Sequence, residues 1–146
     1  MPYTSSAAVM ADIATRIDAL TPSEQVGDDD RFHCQVDVKT SLTGSRAVLI
    51  SGMGATRKFG SGRTCRDWEA VLTVEAYYLN VPTEHGQPTV MQRAVRDCED
   101  VLADLYGWAA DTDGINHLDA DPAPVMDDGT GEIFWTRTIR VEFQRG

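Results

Sequence analysis

Apolar and polar residues alternate along two long stretches of the chain, and this period of two predicts two β-strands. In residues 67–80, one face carries Trp68, Ala70, Leu72, Val74, Ala76 and Tyr78. Residues 133–143 alternate in the same way, and only Arg137 interrupts their apolar face. The second face of residues 67–80 mixes apolar and charged side chains. This favours a sheet that is covered by helices on one side and by a neighbouring subunit on the other.

Two other stretches repeat their apolar residues at the spacing of an α-helix. In residues 5–20 the repeat consists of Val9, Ile13, Ile17 and Leu20. Ser5 or Ser6 is a suitable N-cap for this helix. The residue before Pro22 is disfavoured in a helix, so the helix is expected to stop there. Residues 89–106 predict a second amphipathic helix, and Gly107 is expected to end it.

Shorter segments complete the predicted sheet. Residues 31–39 alternate cleanly, and residues 47–50 and 115–118 favour short strands. The order of helix, strands, loop, strand, helix and strands predicts an α+β fold, in which two helices pack on one face of a mostly antiparallel sheet. A chain of 146 residues is the usual size of one domain, so residues 1–146 are expected to form a single domain.

Two charged loops are expected between these elements. Residues 51–66 are Gly-rich and basic and predict a mobile loop, whereas residues 108–131 predict an acidic loop. Six basic and no acidic residues lie between positions 39 and 66, and eleven acidic and no basic residues between 97 and 132. The two regions are either solvated surfaces that keep the protein soluble or the two sides of a subunit interface.

The overall charge and the cysteine content narrow the classes of function. A formal net charge of -10 argues against general nucleic-acid binding, which needs a basic footprint. No secretory signal is recognised, and no apolar run approaches the roughly 20 residues that span a bilayer, so we expect a soluble protein without a membrane partner. Three widely spaced cysteines without a CxxC pair indicate a reducing, cytosolic environment.

No stretch of the sequence predicts catalysis. The three histidines lie in separate segments: His33, His85 and His117. A Cys/His hydrolase would need one of them beside Cys65. The glycines between 52 and 62 lack the Gly-Lys-Ser/Thr end of a P-loop, and Gly114 comes too early for a calcium loop in the acidic residues 111–121. We therefore expect no enzymatic activity, no cofactor and no metal site.

Five segments carry a family resemblance through their order and length. They are the first helix, RFHCQVDV (31–38), RDWEAVLTVEAYYLNVP (66–82), MQRAVRDCEDVLADLYG (91–107) and IFWTRTIRVEFQRG (133–146). In this order the chain resembles the tail terminator proteins of long-tailed bacteriophages, which are tail-completion proteins. Other head-tail joining proteins share similar element orders, so a connector or neck (head-closure) protein is the nearest alternative. A small-ligand binding module is a more distant one.

The resemblance implies a structural virion protein that forms a homo-hexameric ring on the end of the tail tube. Such a ring stops tube polymerisation and offers an attachment surface for the head connector. The implied partners are other copies of the chain, the tail tube protein and the connector protein. The implied location is the head-proximal end of the virion tail, after assembly in the host cytoplasm. Genomic DNA would pass through the ring lumen without sequence-specific recognition.

A ring built head to tail needs two different surfaces on each subunit. The candidate contact residues are the basic Arg57, Lys58, Arg63 and Arg66, the acidic Asp111 and Asp113, and Glu69, Glu75 and Tyr77 on the less apolar strand face. We expect the basic loop to meet the acidic segment of the next subunit. The alternative is that it lines the lumen of the ring and contacts the end of the tail tube.

Overall fold

A computed structural model of the protein describes residues 3–24, 31–36, 46–57, 67–79, 81–122, 125–127, 129 and 131–145, with the side chains of residues 53, 56 and 57 excepted. The described residues form two helices and six strands. In chain order these are α1 (Ser6–Ala19), β1 (Phe32–Val36), β2 (Arg46–Arg57), β3 (Asp67–Leu79), α2 (Val90–Asp111), β4 (Ile115–Ala120), β5 (Met126–Asp127) and β6 (Glu132–Gln144).

The strands form one sheet in the order β1-β2-β3-β6-β4, and β5 pairs with β6 beyond the end of β4. Only β1 and β2 run parallel. The centre of the sheet is the long antiparallel pair β3 and β6, which stay in register from Asp67 opposite Gln144 to Leu79 opposite Glu132. The α+β fold with a mostly antiparallel sheet is confirmed.

Both helices pack on the same face of this sheet. Helix α1 lies over β1 and β2, and α2 lies over β4, β6 and β3. The Ser5 side chain caps α1 as predicted, and Thr89 and Gln92 form a capping box at the start of α2. The predicted apolar faces of β3 and β6 supply the sheet side of the core, and Arg137 is half-buried among them.

The first part of the predicted basic loop of residues 51–66 belongs to a strand, because β2 continues to Arg57. Strand β3 is thirteen residues long and offers a long edge for pairing. Strand β2 pairs with this edge as far as Trp68. A β-bulge between Gly52 and Ala55 accommodates the glycines, with Gly54 at a φ of +89° that favours glycine. Residues 58–66 lie outside the described residues.

The predicted acidic loop of residues 108–131 contains the end of α2 and the strands β4 and β5. Helix α2 does not end at Gly107 but continues to Asp111, because Trp108 and Ala109 are buried and hold another helical turn on the sheet. The glycine that accompanies the actual end is Gly114, with a φ of +91° in the following turn. The short strand expected at residues 115–118 is confirmed as β4.

Candidate interaction surface

The face of the sheet opposite the helices is the main uncovered surface of the described chain. Along β3, this open face alternates with the buried one, so that every second residue from Asp67 to Tyr77 is half-buried and Leu79 is exposed. No described helix or strand packs against it. The sequence predicted this mixed face, and the structure places the predicted contact residues Glu69, Glu75 and Tyr77 on it.

At the end of β3, apolar side chains from three neighbouring strands come together on the open face. The rings of Tyr77 and Phe134 stack with centroids 6.1 Å apart, and Met126 of β5 lies directly opposite Phe134. Leu79 is 76% exposed and Met126 is 45% exposed. We call Tyr77, Leu79, Met126 and Phe134 the apolar patch. Clusters of exposed large apolar side chains mark sites of interaction.

Two carboxylates border the apolar patch. The Tyr77 hydroxyl donates a hydrogen bond to Glu75, and Glu132 lies opposite Leu79 in the strand register. Burial raises the pKa of Tyr77 to about 12, and the hydrogen bond to Glu75 and the negative charges of Glu75 and Glu132 act in the same direction. The potential at the patch is therefore negative, and a partner with basic groups beside an apolar side chain would complement it.

The other predicted contact residues lie at the opposite end of the sheet. Glu69 faces Glu142 across the strand pair, near the start of β3. Asp111 is the last residue of α2, and Asp113 follows in the turn before β4. This turn joins the same end of the sheet, because the Gly114 carbonyl accepts from the Gln144 amide at 2.8 Å.

The basic residues Arg57, Lys58, Arg63 and Arg66 belong to the connection between β2 and β3, which leaves the sheet at this same end. Arg57 is the last residue of β2 and pairs with Trp68. Lys58, Arg63 and Arg66 lie outside the described residues. The structure thus brings Glu75 and Tyr77 together, but separates them from Glu69 and from the attachment points of the basic connection.

An open groove between the two helices is a candidate ligand pocket among the described residues. Its lining includes Thr15, Leu20 and Trp108, and the salt bridge from Arg16 to Asp104, at 2.8 Å, crosses it. The guanidinium already has its carboxylate partner, and the groove is open to solvent. The distant alternative of a small-ligand binding module therefore gains no support from it.

A buried polar network, which sequence analysis missed, connects helix α2 to the sheet. The Arg46 Nε and the Tyr78 hydroxyl both donate to Oδ2 of Asp97, at 2.6 and 2.9 Å, and Trp135 Nε1 donates to the Tyr78 oxygen at 3.1 Å. Arg46 is 1% exposed and Asp97 is fully buried. The signal in the sequence was Asp97 itself, which stands on the apolar stripe of α2 between Ala94 and Val101.

The buried Asp97 predicts a pH dependence of stability. Burial raises its pKa to about 6, against the opposing effect of Arg46. Because this folded-state pKa exceeds the ordinary value of 3.8, the contribution of Asp97 to stability is full below about pH 4 and is lost as the pH rises to about 6. We expect the free energy of unfolding of the wild type, relative to Asp97→Asn, to fall between these pH values. Urea unfolding of both proteins across this range tests it, and a difference that rises with pH would contradict it.

Comparison with known proteins adds no family assignment. No protein-family model matches the chain, and no curated protein matches it significantly. Neither of the two described helices is long and apolar enough to cross a membrane. Within the described ranges, no three His, Cys, Asp or Glu side chains group together to hold a metal ion.

Proposed function

We propose that this chain is a tail terminator subunit of a long-tailed bacteriophage. It forms a homo-hexameric ring at the head-proximal end of the tail tube, stops tube polymerisation and offers a surface to the head connector protein. Its role is structural, and its partners are further copies of itself, the tube protein and the connector. The proposal starts from the order of elements along the sequence and gains support from the uncovered face of the sheet.

The observation that carries the proposal is the open face with its apolar patch. A sheet is usually covered on both faces when both carry apolar side chains. Here the helices cover one face, and the other exposes Leu79 and Met126 beside half-buried aromatic rings. Such a surface fits a subunit of an assembly better than an isolated monomer.

The two sides of the subunit also differ, as a head-to-tail ring requires. One lateral side carries α1 and β1, and the other carries α2, β4 and β5. On the first side, Asp18 of α1 accepts a hydrogen bond from the Cys34 amide of the outer strand β1, at 3.2 Å. A side chain that occupies an edge amide in this way disfavours pairing of that edge with another copy of itself.

The test is the native mass of the purified protein over a wide range of concentrations, with negative-stain images of any large species. We expect rings of six chains of 16.0 kDa each, either alone or after addition of tail tubes, and we expect the rings at tube ends. Two-fold dimers at every concentration, or monomers that never bind tube ends, would overturn the proposal. Binding to the head connector in the absence of tube binding would favour the neck protein instead.

Charge reversal tests whether the basic connection contributes to ring assembly. We expect Arg63→Glu with Arg66→Glu to weaken ring formation at low salt, because complementary potentials promote encounter. The matched control is Arg31→Glu with Arg96→Glu, since these arginines are about half exposed and make only long surface ion pairs. Equal assembly of both double variants would count against a contact made by the connection.

A further inference from the structure

We propose that the apolar patch is the docking site for the basic connection, residues 57–66, of a second copy of this chain. The anchor is Phe59, and the side chains that meet the acidic border are Arg57 and Lys58. This inference rests on the proposed function, which supplies the closed ring of subunits. It assigns the contact that joins one subunit of that ring to the next.

The chemistry of the connection complements the patch. Its sequence begins Arg57-Lys58-Phe59-Gly60, so an aromatic side chain directly follows two basic ones. The patch offers apolar contacts from Leu79, Met126 and the stacked rings, next to the carboxylates of Glu75 and Glu132. Aromatic and arginine side chains are typical anchors of interfaces, and complementary charges beside them fix the register of the two partners.

The connection cannot reach the patch of its own chain. It leaves β2 at Arg57 and returns to β3 at Asp67, and both points lie at the end of the sheet opposite Leu79. From Asp67 to Leu79 the strand extends about 40 Å at about 3.3 Å per residue. Residues 58–66 must go out and come back, so their tip extends about 17 Å from the sheet at most. The patch can therefore receive this segment only from another copy.

A contact between the basic connection and the acidic turn at Asp111 and Asp113 does not require a second copy of the chain. It joins β4, which is three strands away from β2 at the same end of the sheet, a lateral distance of about 14 Å for strand spacings of about 4.8 Å. The connection of the same chain can span that distance. A contact between the basic connection and the acidic turn thus needs no second subunit. A contact between the basic connection and the apolar patch does need one, and this contact joins two different surfaces of the subunit, as a head-to-tail ring requires.

The first test compares two exposed apolar residues. Leu79→Lys removes an apolar contact and adds a charge that repels Arg57 and Lys58, and we expect the concentration needed for ring assembly to rise by about tenfold or more. Val95→Lys is the matched control, since Val95 is 41% exposed on the helix side of the molecule and should leave assembly unchanged. Rings that form equally well with Leu79→Lys would overturn the inference and leave the proposed function intact.

The second test is disulfide crosslinking between differently labelled chains, which does not depend on a closed ring. Both chains carry Cys65→Ser. Burial raises the pKa of Cys34 to about 12 and also raises that of Cys98, so the native thiols react slowly. We expect Gly60→Cys chains, which keep the Phe59 anchor, to crosslink with Leu79→Cys chains, but not with Asp113→Cys chains. A crosslink to position 113 alone, or none at all, would overturn the inference. If the crosslink to position 79 formed in a protein that never assembles into rings, the contact inferred here would stand and the proposed ring would be overturned.

Discussion

Replacement of Arg46 by methionine is expected to lower the free energy of unfolding at pH 7 by about 3–5 kcal/mol. Arg46 and Asp97 are both inaccessible to solvent, and the guanidinium is the charged partner of the carboxylate at 2.6 Å. Without it, Asp97 keeps only the Tyr78 hydroxyl among its described donors, and its Oδ1 already has no hydrogen-bond partner in the described part of the chain. An unpaired charge buried in this way is among the largest destabilising changes known for single substitutions.

Urea unfolding of the single and double variants tests this explanation. The double variant Arg46→Met with Asp97→Leu removes both charges, and we expect its stability to return to within about 1–2 kcal/mol of the wild type. If the double variant were as unstable as Arg46→Met alone, the loss would come from packing rather than from the buried charge. A loss of less than about 1 kcal/mol in the single variant would show that the pair is dispensable.

The same buried pair shows where prediction from sequence fails. Alternation with a period of two located β3 and β6 to within a residue or two, because one face of each strand is apolar, apart from Arg137 in β6, and a shift by one residue would expose that face. Arg46 and Asp97 break the apolar pattern on two different elements. Nothing local indicates that they meet, since 51 residues separate them along the chain and only the packing of α2 on the sheet brings them together.

Element ends were predicted less well, for an equally physical reason. Gly107 appeared to end α2, but a glycine on the exposed side of a helix costs only about 1 kcal/mol. The burial of Trp108 and Ala109 in the next turn outweighs that cost. In β2, the glycines at 52 and 54 suggested a loop, yet the long edge of β3 and a β-bulge keep them in the sheet.

The candidate surface was predictable only in part. The alternation of β3 was enough to place Glu75 and Tyr77 on one uncovered face, as the structure has them. The contributions of Phe134 and Met126 depend on the register of β6 with both β3 and β5. Charge alone suggested that the basic connection meets the acidic turn of a neighbour, whereas the strand lengths and order show that such a contact lies within reach of a single chain.

Replacement of Trp135 by alanine is expected to lower the free energy of unfolding by about 3–5 kcal/mol. Trp135 is fully buried near the start of β6, opposite Ala76 of β3. A small residue already faces it, so no neighbouring side chain on that strand can fill the space that the indole leaves. The variant also loses the Nε1 hydrogen bond to Tyr78, which is part of the buried network around Asp97.

Two further variants separate the contributions to this loss. Trp135→Phe keeps an aromatic ring but removes the indole donor and part of the ring volume, so we expect a smaller loss of about 1–2 kcal/mol. Trp68→Ala removes the same residue type from the neighbouring strand, where the ring is half-buried beneath the Arg145 guanidinium at 4.7 Å, and should cost clearly less than Trp135→Ala. Thermal and urea unfolding measure the loss of stability in each of the three variants and rank them. If Trp68→Ala were as destabilising as Trp135→Ala, the cost would not follow the burial of the ring, and the cavity would not explain the loss at Trp135.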